Sequence, residues 1–206
     1  MGKEVFKVEL SRIEHNNVRI STEIILDLLP EYFYKMPAST SGRYHPSFSL
    51  GEGGLVRHVM VAERLLEEYF RDSAFGEYDS YTKDLMRMAI LLHDGFKSGI
   101  EYSGHTLPEH PVIMARFLME NKDILFLPYE DVLFVASLIL THMGPWNKDK
   151  DGNVIMPVPT TPEEILIHQC DYNASRNFLN VCFNGYEIID GVNREESMKL
   201  NRERQE

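Results

Sequence analysis

The chain has 206 residues and a formal net charge of −11, which argues against a dedicated binder of long nucleic acids or anionic membranes, since either needs a basic surface. The length suits one domain with a sizeable core, and hydrophobic and charged fractions of 43% and 26% are ordinary for a globular chain. Cys170 and Cys182 are too few for a disulfide framework and fit a reducing cytoplasm.

The opening MGKEVFKVELSR lacks the apolar stretch of a signal peptide. Phe6 stands where a myristoylation start wants Ser or Thr. Residues 21–29, STEIILDLL, read as a helix with a Ser/Thr cap, stopped by Pro30. The segment 35–54, KMPASTSGRYHPSFSLGEGG, is rich in Pro, Gly and Ser and reads as a long loop of the kind that carries function. Leu55, Val59, Ala62, Leu66 and Tyr69 recur every three or four residues and predict an amphipathic helix to about Phe70. Leu85, Met88, Ala89 and Leu92 predict the next, ending at His93-Asp94-Gly95. Pro111 suits the first turn of a helix carrying Val112, Ala115 and Phe117.

Residues 131–142 are apolar on most faces and predict a central buried helix. Its apolar run, VLFVASLIL, is far too short to span a bilayer, so no membrane partner is expected and the chain reads as cytoplasmic. The stretch 145–159 suits a short β-hairpin or an irregular loop. Thr161-Pro162-Glu163-Glu164 is a capping box that opens another helix. No repeat or composition break divides the chain. The expectation is one all-α bundle over 1–206: an N-terminal helical extension (1–34), a core (about 35–178) and a polar tail (190–206) that is frayed or disordered.

His58, His93, Asp94, His110, His142 and Asp171 each fall at the end or inner face of one of five predicted helices. Taken singly, a histidine at a helix C-terminus is more often a partner of the helix dipole than a ligand, and a lone aspartate is usually solvated. Together they are harder to dismiss, because an apolar bundle gains nothing from several buried imidazoles without partners. Imidazoles and carboxylates converging from several helices suit a divalent transition metal. His168, one turn before Asp171, reads as a core histidine or as a partner orienting a ligand. His15 and His105 read as structural or solvated.

The ordered series His58, His93-Asp94, His110, His142, Asp171 resembles the signature of the HD superfamily of metal-dependent phosphohydrolases. GEGGLVRHV, HDGFKSG, EHPVIMARFL, LTHMG and HQCDYNASR resemble its successive motifs over roughly 35–178. The resemblance implies an HD-type helical bundle with two divalent metal ions. One would be held by His58, His93, Asp94 and Asp171, the other by Asp94, His110 and His142, with Asp94 bridging. Within the superfamily the chain looks most like the HD domain of bacterial 3′-to-5′ exoribonucleases that also carry an OB fold. It has no room for that fold and is acidic, so processive action on long RNA is not expected.

The chemistry so implied is hydrolysis of a phosphoester in a nucleotide or short oligonucleotide by metal-activated water, with no protein nucleophile. No G-x-S-x-G elbow is present and neither cysteine has a catalytic context. Lys97, one turn past Asp94, is placed to neutralise a phosphate oxygen. Arg43, Tyr44 and His45 in the 39–54 loop offer substrate contacts, and Trp146 offers a surface on which a base can stack. Mn, Fe, Co, Ni and Zn all accept this donor set. Two other classes share the pattern: a di-iron oxygenase of the HD-related type, and a non-catalytic nucleotide-binding regulatory module.

Overall fold

Wherever apolar residues recur at helical spacing, the chain is helical. The computed structural model describes residues 2–39, 42–43 and 45–191. The polar tail expected from 190 therefore lies almost wholly outside the described residues, as does Tyr44. Among the described residues the helices are α1 (Lys7–Ser11), α2 (Asn16–Leu28), α3 (Gly54–Tyr69), α4 (Ser80–Leu92), α5 (His110–Glu120), α6 (Tyr129–Thr141) and α7 (Pro162–Ala174). No helix among them is long and apolar enough to cross a membrane.

The helix starts show which local signals hold. The Thr161 hydroxyl accepts from the Glu164 amide and the Glu164 carboxylate accepts from the Thr161 amide, so the capping box forms at α7. Asp79 caps α4 by accepting from the Thr82 amide. Ser21 and Thr22 do not cap α2, which begins five residues earlier at Asn16. Their hydroxyls donate instead to the carbonyls of Asn17 and Val18, one turn back inside the helix.

The helices pack around one apolar cluster. α3 lies against α4 and α7, α4 against α2 and α6, and α6 against α5. α3 and α4 run antiparallel, since the rings of His58 and His93 meet at one end and Glu67 meets Arg87 at the other. Phe6, Ile13, Val18, Ile25 and Phe33 are fully buried in this cluster, so the N-terminal extension contributes side chains to the core. Burying an aliphatic or aromatic side chain of this size stabilises by roughly 1.5–3 kcal/mol. α6 is less buried than its composition suggests. Val132, Val135, Leu138 and Ile139 face inward, but Tyr129 and Leu133 are about half exposed because no element among the described residues covers the outer side.

The β-structure is a hairpin, β1 (Cys182–Asn184) paired antiparallel with β2 (Glu187–Ile189). It lies outside the stretch 145–159, where only a single bridge joins Lys148 and Val154. There the Asp149 carboxylate accepts from the amides of Asp151 and Asn153, organising an irregular turn in place of a ladder. The hairpin's own signal was the Asn184-Gly185 step, a strong short-range turn former.

Candidate metal centre

Five elements deliver the six residues. Gly54 lets α3 begin close against the preceding loop, where a Cβ would stand 2.2 Å from the Ser49 carbonyl oxygen. His58 follows one turn later and is fully buried. His93 and Asp94 continue from the buried end of α4, His110 opens α5, His142 follows α6, and Asp171 lies in the last turns of α7. The donor atoms fall into two groups sharing Asp94: His58, His93, Asp94 and Asp171, and Asp94, His110 and His142. Within each group they lie within 4.8 Å of one another.

Asp94 turns one oxygen to each group. Its Oδ2 is 3.4 Å from His93 Nε2 and 3.7 Å from His58 Nε2. Its Oδ1 is 3.0 Å from His110 Nε2 and 3.8 Å from His142 Nε2. Asp171 Oδ1 accepts from His58 Nε2 at 2.9 Å and lies 3.5 Å from His93 Nε2.

The imidazoles are oriented from behind. His93, His110 and His142 each donate Nδ1–H to the backbone carbonyl three residues earlier, that of Ile90, Leu107 and Ile139, at 2.6, 2.6 and 2.7 Å. A carbonyl can only accept, so Nδ1 carries a proton and Nε2 points inward; in the neutral ring that Nε2 holds the lone pair a metal ligand needs. As a consequence, His110 Nε2 and His142 Nε2 face each other at 3.1 Å, lone pair toward lone pair when both rings are neutral. Such a contact is repulsive until a proton or a cation lies between. His93 Nε2, Asp94 Oδ1 and His58 Nδ1 are also buried without a hydrogen-bond partner, and an unpaired buried polar group costs about 1–3 kcal/mol. These buried His and Asp groups could hold a metal ion, and the donor set suits one.

Electrostatics points the same way. Burial disfavours the charged form of His93, but Asp94 and Asp171 outweigh it and raise its pKa to about 10. Burial also opposes charge on Asp94, yet Lys97 and His93 hold its carboxyl well below the usual range. Asp171 is held low against burial by His58 and His93. His142 is pushed down to about 3 by burial and by the neighbouring His93 and His110.

The centre opens onto a cavity of about 190 Å³, whose wall includes His45, Lys97, His110, Trp146 and Asp171. Lys97 is buried and its ammonium pairs with Asp94 Oδ2. His45 faces the centre from the 39–54 loop, its ring 6.1 Å from that of His58 and its Nδ1 buried without a partner. Burial, then the neighbouring His58 and Lys97, lowers its pKa to about 4. Arg43 is exposed and is not among the residues lining the cavity. His168 stands behind the site and donates Nδ1–H to the His142 carbonyl at 2.7 Å. His15 pairs with Asp84 far along α4, and His105 is exposed.

Sequence reasoning missed Tyr172, Ser175 and Arg176, which line the cavity beside Asp171. Their signal was the spacing of one, four and five residues from that aspartate, which puts them on one side of a helix. The chain matches no family model, no curated protein and no solved structure.

Proposed function

We propose that the chain is a metal-dependent phosphohydrolase that cleaves a phosphoester bond of a nucleotide or short oligonucleotide with metal-activated water. The observation that carries this reading is Asp94, buried between two sets of inward-facing Nε2 atoms with one oxygen toward each. That arrangement favours two divalent ions with Asp94 shared. His58, His93, Asp94 and Asp171 would hold one, and Asp94, His110 and His142 the other. Bound there, such ions supply Lewis acidity and a water made acidic enough to attack near neutral pH.

The chain's own residues do the rest. The Ile90, Leu107 and Ile139 carbonyls fix the donor tautomers, so no reorganisation is needed when substrate arrives. Lys97 sits in the cavity wall on Asp94 and can turn its ammonium to a phosphate oxygen once that carboxylate is otherwise neutralised. His45, neutral at pH 7, can donate or accept a hydrogen bond to a substrate oxygen without carrying charge into the site.

The test is metal analysis of the purified protein joined to a hydrolysis screen over mononucleotides, cyclic nucleotides, dinucleoside polyphosphates and short oligonucleotides. Two metals per chain and turnover of one of these classes are expected. Oxygen consumption with a small polyol or phosphonate, and no phosphoester turnover, would replace the reading with di-iron oxygenase chemistry. Nucleotide binding with no turnover under any of the five metals would replace it with a regulatory module.

A further inference from the structure

Part of the cavity wall is not needed by the hydrolytic chemistry. The Trp146 ring stacks on Tyr172 with centroids 5.4 Å apart and planes 13° from parallel. The guanidinium carbon of Arg176 lies 4.0 Å from the centre of the Tyr172 ring. Both halves of this shelf are tied to the metal donors. Tyr172, Ser175 and Arg176 share a side of the α7 end with Asp171, and all four line the cavity. Trp146 arrives four residues after His142 through Gly144, whose φ of +59° suits glycine and where a Cβ would stand 2.3 Å from the His168 ring. That contact lets the chain turn over His168 and bring the indole onto Tyr172.

Two features of the shelf call for a ligand. Trp146 is 52% exposed, so the stack on Tyr172 leaves much of a large apolar ring in water beside the cavity. Arg176 donates from Nε to the Tyr172 carbonyl at 3.1 Å and from Nη2 to the Ser175 hydroxyl at 2.7 Å. Among the described residues no carboxylate pairs with it, whereas Arg12, Arg64, Arg71 and Arg87 all pair with acids. In a chain of net charge −11, a guanidinium without an acid at the cavity wall matches an anionic oxygen group.

We infer that Trp146, Tyr172 and Arg176 select the substrate: a nucleobase stacks on the open part of Trp146, and Arg176 takes a second phosphate beside the one that is cleaved. The inference rests on the proposed hydrolase reading and narrows it to nucleotides with at least two phosphate groups. The cavity, at about 190 Å³, is smaller than the roughly 300–1,000 Å³ that encloses a small molecule. It therefore encloses the phosphate end and leaves the base on the rim, where Trp146 stands.

Trp146 is the only tryptophan in the chain, so intrinsic fluorescence reads the shelf directly. Zn²⁺-loaded protein is titrated with ribose 5-phosphate, AMP, α,β-methylene-ADP and adenosine 3′,5′-bisphosphate. The adenosine ligands should quench the emission and ribose 5-phosphate should not. One of the two-phosphate ligands should bind about tenfold more tightly than AMP, and which one does so identifies whether the second phosphate comes from a diphosphate or from a 3′ ester. Arg176→Gln should erase that preference, bringing the two-phosphate ligands to the affinity of AMP for the same variant.

Equal affinity for ribose 5-phosphate and AMP, or equal affinity for AMP and both two-phosphate ligands, overturns the inference. So does a preference that survives Arg176→Gln. Because Arg176 also ties down the end of α7, the ligand series on the unaltered protein stands independently of that variant. Turnover of bis(p-nitrophenyl) phosphate without any base or second-phosphate preference removes the shelf and leaves the hydrolase reading. Quenching with the expected preference but no turnover of any phosphoester does the reverse.

Discussion

The α3–α4 pair buries polar side chains at both ends, and the two ends solve the problem differently. At the far end Arg87 pairs with Glu67 at 2.6 Å and with Asp84 at 2.7 Å, Asp84 also accepts from His15, and Arg12 meets Glu63. Acid there faces base, and most lone pairs and protons are used within the chain. At the other end four imidazoles and two carboxylates converge with Lys97, the one ammonium paired there among the described residues, and several atoms stay orphaned. Burial of charge alone therefore does not mark a functional site. A self-satisfied network needs nothing further, whereas donors of one kind aimed at a common point need a cation that the chain does not supply.

Substitutions test that contrast most severely at Asp94. Asp94→Ala should abolish both metal content, read by elemental analysis, and phosphoester hydrolysis, while far-ultraviolet circular dichroism keeps its helical signal. A fully active variant would sink the reading of the centre. Asp84→Ala, on the same pair of helices, should behave in the opposite way. It strips a partner from buried Arg87 and from His15, and should cost about 3 kcal/mol in urea unfolding, with the metal content of the folded protein unchanged. Loss of metal from that variant would mean that the two ends are not separable.

Chelation asks the same question without mutation. If the converging donors depend on cations, each ion present at about 100 times its dissociation constant contributes about 2.7 kcal/mol. Removal should lower the melting temperature by roughly 5–10 °C per ion lost for a chain of this size. An unchanged melting temperature would mean that the donors are satisfied without metal.

The smallest effect belongs to the paired end. Glu63 is fully buried with Oε1 unpartnered, so burial raises its pKa from 4.5 to about 8 despite the attraction of Arg12. A folded-state pKa above the unfolded one means that the folded chain holds the extra proton. This contribution is complete below about pH 4.5 and is lost as pH rises through about 8. Glu63→Gln should therefore narrow the difference in melting temperature between pH 6 and pH 9, and an unchanged difference would place Glu63 ionised in the fold.

Much of this molecule was legible before its structure. The spacing of Leu55, Val59, Ala62 and Leu66 and the capping box at Thr161 are local signals that depend on residues within a turn or two, whereas the His and Asp series is legible only as an ordered set spread over 58–171. The α2 start is not legible in the same way, because a Ser-Thr pair can cap a helix or bond back inside one, and sequence alone does not choose. The hairpin at 182–189 was overlooked although Asn184-Gly185 announced it. Apart from Asp84 and Arg87, one helical turn apart, the network of Glu63, Asp84, Arg87 and His15 could not be read, because its other partners are separated by 20 to 69 residues with no periodic relation.

The sequence by itself determined where the helices from α3 to α7 lie, within a few residues, and which side chains are competent metal donors, since propensity, capping and ligand chemistry are properties of the residues and their near neighbours. Only the tertiary structure decided that His110 and His142 oppose each other, that Asp94 offers one oxygen to each donor group, and that Arg176 and Trp146 meet across Tyr172. Those relations depend on how the helices pack, and helix packing is fixed by burial of the whole apolar cluster rather than by any single motif.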